Sequence, residues 1–129
     1  MRISRPDVAM PVTFTIDVQR RLLIARASGM LVDDDLREGR RELLDDPDFD
    51  RDFNELFDAR EVVEVAFSAE AMARMAQTSV LARESRRAFL ATTAYQYRMA
   101  CLFVTLAQPY QPNVQVFRDM DEALAWLAS

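Results

Sequence analysis

Ser68 heads the run S-A-E-A just before an apolar stretch, and its type and place give it the clearest chemical reading in the chain. A hydroxyl at a helix start accepts from a backbone N–H that would otherwise lack a partner, which is a capping role. Phosphorylation at the same point would be favoured by the helix dipole, although Glu70 opposes added negative charge. Nucleophilic catalysis would need a base, and the sequence has neither histidine nor lysine: all 16 basic side chains are arginine. Without histidine the chain lacks the side chain that titrates near neutral pH and is the commonest metal ligand. Without lysine there is no Schiff base and no phosphate-loop ammonium. A coding bias toward arginine would account for the composition, and the chemical consequence holds with or without it.

Other constellations are weaker. Asp58 and Arg60 fall at the expected C-terminal end of a strand, where open α/β sheets bind ligands. A local ion pair is the plainer reading. Asp48, Asp50 and Asp52 match the first three ligand spacings of a calcium loop, but Phe53 replaces its glycine and Ala59 its glutamate. A solvated turn fits better. Glu61 and Glu64 could do acid–base work only if burial raised one of them. Arg83, Arg86 and Arg87 form a basic patch suited to a phosphate, an acidic partner or plain solvation. No metal or cofactor site is expected.

These residues must be held by elements that can be read from periodicity. Val12, Phe14 and Ile16 alternate, and Leu22 to Ala27 follow after a turn near Gln19-Arg20, which predicts an antiparallel hairpin. A helix from about Asp34 to Leu44 follows, capped by Asp33, with Gly39 on its apolar face allowing close approach to a sheet. Phe53–Ala59 reads as a short strand and Arg60–Phe67 as a connector. Ser68 opens a helix to about Ala82, with Met72, Met75, Ala76 and Val80 on one stripe. A strand over Arg86–Thr92, a helix over Ala94–Ala107 and a strand over Val114–Phe117 come next. Asp119 and Glu122 then form a capping box for the last helix.

The helix Ala94–Ala107 is apolar on two stripes: Tyr95, Met99, Leu102 and Leu106, and Tyr97, Ala100, Cys101 and Val104. One apolar face suffices for packing on a sheet, so the second needs neighbouring helices, a homodimer seam or a pocket for an apolar ligand. Tyr97, Cys101 and Val104 mark that second stripe. Apolar burial disfavours thiolate at Cys101.

Length and composition bound the rest. At 129 residues with 50% hydrophobic content, one folded domain is expected over residues 12–129, behind a polar lead-in over residues 1–11. The formal charge of −5 repels nucleic-acid phosphates and anionic lipids. The single cysteine excludes an internal disulfide and points to a reducing compartment. No apolar run is long enough for a secretory signal or a membrane span, so a cytoplasmic setting is expected.

The hairpin ending A-S-G-M-L, the D-P-D-F-D and L-F-D-A-R segments, and the tail V-F-R-D-M-D-E-A-L-A-W-L together resemble the STAS-like, anti-sigma-factor-antagonist-like proteins called SpoIIAA-like. The resemblance implies a small α/β domain: a mixed sheet of about five strands with about four helices, opening on an antiparallel hairpin. It also implies a non-enzymatic, regulatory protein-interaction role, with a protein partner or a second copy of the chain. Members that act as anti-sigma antagonists carry a phosphorylatable Ser or Thr at a helix start. Ser68 is the nearest match, reached after a longer connector than theirs. The alternative reading is binding of a small apolar or lipid-like ligand between sheet and helices.

Overall fold

In the computed structural model, which describes residues 11–129, the alternating segment forms β1 (Val12–Asp17) and turns into β2 (Leu22–Leu31). Arg21, at φ 51°, takes the left-handed conformation that closes this turn. The chain continues as α1 (Asp33–Leu44), β3 (Asn54–Val65), α2 (Ala69–Gln77) and β4 (Arg87–Leu90). It ends with α3 (Ala94–Ala107), β5 (Val114–Phe117) and α4 (Met120–Ala128). The five strands form one mixed sheet in the order β1-β2-β3-β4-β5, antiparallel between β1 and β2 and parallel elsewhere. Each parallel step is bridged by a helix, as parallel pairing requires.

Strand alternation divides the core into two layers. Leu22, Leu56, Ala88 and Leu90 face α4, where Ala123 and Leu127 close over them. On the opposite face Phe57 and Phe89 lie under α3, against Ala100 and Phe103, while Val12, Ala27 and Phe14 meet Leu36 of α1. Gly39 lets α1 press onto β1, because a Cβ there would fall 2.6 Å from Cε2 of Phe14.

The largest departure from the expected elements is β3. It is 12 residues long and absorbs most of the segment read as a connector, Val62, Val63 and Val65 included. Charged Arg60 and Glu61 interrupt the apolar pattern, yet the backbone stays paired to β2 through two register shifts. At each shift β3 carries one more residue than β2, and Gly29 lies beside the second at φ 68°. β4 accompanies β3 only from Glu55 to Asp58, so the later part of β3 has no strand on that side. Side chains of α3 take the place of a strand. Gln96 Nε2 donates to the carbonyls of Arg60 (2.8 Å) and Val62 (3.0 Å), and Val65 N donates to Tyr95 Oη at 2.7 Å. Gln96 Oε1 also accepts from the backbone of Thr92 and Thr93, closing the capping box of α3.

Smaller corrections concern the caps and ends. Val32, not Asp33, is the N-cap of α1, and Asp35 Oδ2 accepts from Val32 N at 3.0 Å. α2 stops at Gln77 instead of near Ala82, with Thr78 in extended conformation as its C-cap. Asp119 Oδ1 accepts from Glu122 N at 2.9 Å, which is the Asp119 arm of the expected capping box. The N-terminal lead-in lies outside the described residues as far as residue 10.

Replacing Gln96 by Leu would leave several buried backbone groups unpaired, and should lower stability by about 2–4 kcal/mol in urea unfolding. Gly39→Leu would force α1 off β1 and should cost about 1–3 kcal/mol in the same measurement.

Candidate functional site

The parallel register that joins β3 to β4 places Glu55 beside Arg87 and Phe57 beside Phe89. All four side chains, together with Ala59, point to the face covered by α1, α2 and α3, where they line a cavity of about 380 Å³. That is within the size range of small-molecule sites. α1 packs on β1 and α2 on α3, and the cavity occupies the space left between them. Its wall is mainly apolar: Phe14 and Leu36 on one side, Met75, Met99 and Phe103 on the other, with Phe57 of the central strand beneath. Phe57 and these wall residues are only half-buried although they face the interior side of the sheet.

One polar cluster interrupts the apolar lining. Arg87 Nε donates to Glu55 Oε1 at 2.7 Å, and Arg87 Nη1 donates to Gln111 Oε1 at 2.8 Å. The guanidinium also lies 5.5 Å from the ring centroids of both Phe89 and Phe103. The pair is nearly enclosed, with side-chain exposures of 13% for Arg87 and 6% for Glu55. Removing either partner would leave a buried charge uncompensated.

Further arginines, Arg37, Arg40 and Arg74, stand along the cavity. Arg37 pairs with Asp34 at 3.3 Å. Arg40 reaches from α1 to Thr78 Oγ1 at the end of α2, also 3.3 Å away.

Ser68 is exposed and caps α2, its Oγ accepting from Ala71 N at 3.0 Å. Asp58 and Arg60 form a close pair: Arg60 Nε and Nη2 donate to the two carboxylate oxygens at 3.0 and 2.9 Å. They are not at the end of β3, which runs on to Val65, but at the point where β4 stops. Asp58 shares its sheet face with Leu56 and Leu90, away from the cavity. Burial works against the charged form of Asp58, but hydrogen bonds and charge from Arg60, with Arg26 adding to them, outweigh it and hold the carboxyl below its usual range.

α3 turns Gln96, Met99, Ala100 and Phe103 to the cavity instead of Tyr97, Cys101 and Val104. Tyr97 carries the Arg118 guanidinium over its ring at 4.3 Å, Cys101 is a half-buried free thiol, and Val104 packs with the Phe89 cluster. Leu102 is 47% exposed. The supposed basic patch is dispersed. Arg83 donates to the carbonyls of Pro109 and Tyr110, Arg86 to the C-terminal turn at Trp126 and Ser129, and Arg87 to Glu55. Asp46 and Asp50 accept from the backbone N–H groups of Asp48 and Asp52, which accounts for that acidic stretch as turns. Among the described residues no three His, Cys, Asp or Glu side chains gather to hold a metal ion.

Sequence reasoning missed Glu55, Gln96 and Gln111. Glu55 beside a strand arginine was a readable signal only once the parallel register was known.

Because the Asp58 carboxyl is depressed, its contribution to stability is present above the ordinary carboxylate pKa and is lost as pH falls through the lowered value. Asp58→Asn should therefore lower stability at pH 7 by about 1 kcal/mol. The difference from the parent protein should shrink steadily in acid denaturation below about pH 4.

No protein-family model matches the sequence, and no curated protein sequence matches it. A solved structure does resemble it: an uncharacterized protein from Shewanella loihica PV-4, described as belonging to the DUF3478 family with a SpoIIAA-like fold. The two are 17% identical, the alignment covers 96% of this chain and 99% of that one, and the TM-score is 0.61. This chain therefore has the SpoIIAA-like fold: a five-stranded mixed sheet with four helices, opening on an antiparallel hairpin.

Proposed function

We propose that the protein is a non-enzymatic binding domain that holds a small, mainly apolar molecule between its sheet and helices α1 to α3. The observation that carries this reading is the cavity of about 380 Å³ over the middle of the sheet. A central strand ordinarily buries its inward aromatic residues against a helix, yet Phe57 stays half-buried beside α3 and lines the cavity. Met72 and Met75 of α2 add polarizable, adaptable side chains to the wall.

The absence of histidine and lysine from the sequence argues against turnover.

A second reading, regulatory recognition of a protein partner or of another copy of the chain, draws on the SpoIIAA-like fold and on exposed Leu102 of α3. The two readings are compatible, because α2 and α3 both wall the cavity and present outer faces to a partner. Ser68 at the head of α2 would be the regulatory position, and a phosphate mapped there would support the switch. Among the described residues no helix is long and apolar enough to cross a membrane. With one cysteine and an acidic balance, we place the domain in the cytoplasm without a nucleic-acid partner.

Native mass spectrometry of gently purified protein should show a co-purifying small molecule, and an apolar fluorescent probe should bind to delipidated protein. Ala59→Phe places a ring in the cavity from the floor. It should reduce probe affinity about tenfold or more while leaving thermal stability unchanged or higher. A bare protein that binds no probe, or a variant that binds it as well as the parent, would refute the cavity as a ligand site.

A further inference from the structure

Charge around the cavity names a ligand class, an inference that rests on the binding reading above. The chain carries a net −5, yet the cavity lining holds four arginines against two acids, Asp33 and Glu55. A positive lining in an acidic protein is a local concentration of charge that favours an anion. Two of the arginines are already committed: Arg87 to Glu55 and Gln111, and Arg37 to Asp34. Arg40 and Arg74 have no acidic partner among the described residues.

One hydroxyl links the Arg40 side chain to the backbone of Arg74. Arg40 crosses from α1 to Thr78 Oγ1, and that same hydroxyl donates to the carbonyl of Arg74 at 2.9 Å. Arg74 is one helical turn before Thr78, and both arginines line the cavity while remaining exposed. The far end of the cavity is unsuited to an anion. A carboxylate brought to Arg87 would be enclosed beside Glu55, and like charges in a low-dielectric site repel strongly.

We propose that the ligand is an amphiphilic carboxylate, its head held by Arg40 and Arg74 and its hydrocarbon tail directed inward onto Phe57, Phe89 and Phe103. The guanidinium fork matches a carboxylate in geometry as well as charge, and it remains protonated at every physiological pH. Displacing the weak Arg40–Thr78 contact frees one fork without breaking an ion pair.

The test is calorimetric titration of the delipidated full chain with dodecanoate and with dodecanol, each below its aggregation threshold. Dodecanoate should bind about tenfold or more tightly than dodecanol, and added salt should narrow the difference. The double variant Arg40→Gln/Arg74→Gln, altered only at exposed positions, should lose that preference while binding dodecanol as the parent does. Equal binding of the two ligands by the parent, or a preference that survives the double substitution, would overturn the head-group assignment and leave the cavity reading intact. Binding of neither ligand would overturn both. Dodecyl phosphate serves as the comparison anion: a higher affinity for it than for dodecanoate would refute the carboxylate in favour of a phosphate head.

Discussion

A strand that outruns its neighbour leaves backbone hydrogen-bonding groups exposed along one edge, and the arrangement of this protein turns on how β3 meets that constraint. Seven of its residues continue past Asp58, where β4 has already ended. An unpaired buried backbone group is costly, so the edge has to be covered. Gln96 and Tyr95 cover it from the first turn of α3. The same Gln96 caps the helix it belongs to, so the start of α3 is tied both to its own backbone and to the projecting strand. With its N-terminus held there and Ala100 and Phe103 laid on Phe89, α3 has little freedom to slide across the sheet.

The cavity follows from where the other helices are anchored. α1 is drawn to the hairpin side by the close approach of Gly39 to Phe14, while α2 packs on α3 at the other side. Neither can move over Phe57 without giving up those contacts. The space between them is therefore a product of helix placement, and its floor is set by strand alternation: Glu55, Phe57 and Ala59 on one face, Leu56 and Asp58 on the other.

The all-arginine cation set shapes the interior as well as the surface. Arg87 meets a carboxylate, an amide oxygen and two aromatic rings at once, which a planar guanidinium with several donors can do and a compact ammonium cannot. Arg86 combines backbone carbonyls at the C-terminal turn with stacking on Trp126. Arg60 grips both oxygens of Asp58 next to the first register shift in β3, so a charged pair stands where the strand pattern is locally broken.

Several features were legible in the chain itself because they depend on neighbours in sequence: the hairpin, the Gly39 contact, the Ser68 and Asp119 caps, and the bounds of α3 and β5. The combined pattern also points to the SpoIIAA-like fold, and the absence of histidine and lysine narrows the available chemistry. Local order along the chain thus fixes the set of elements and the reactive groups at hand. The length of β3, the Glu55–Arg87 pairing, the inward face of α3 and the cavity emerge only when the elements pack together. Each depends on groups some 30 residues apart in the chain meeting across a sheet, as Glu55 and Arg87 do, and no local period encodes which residues will be opposite one another.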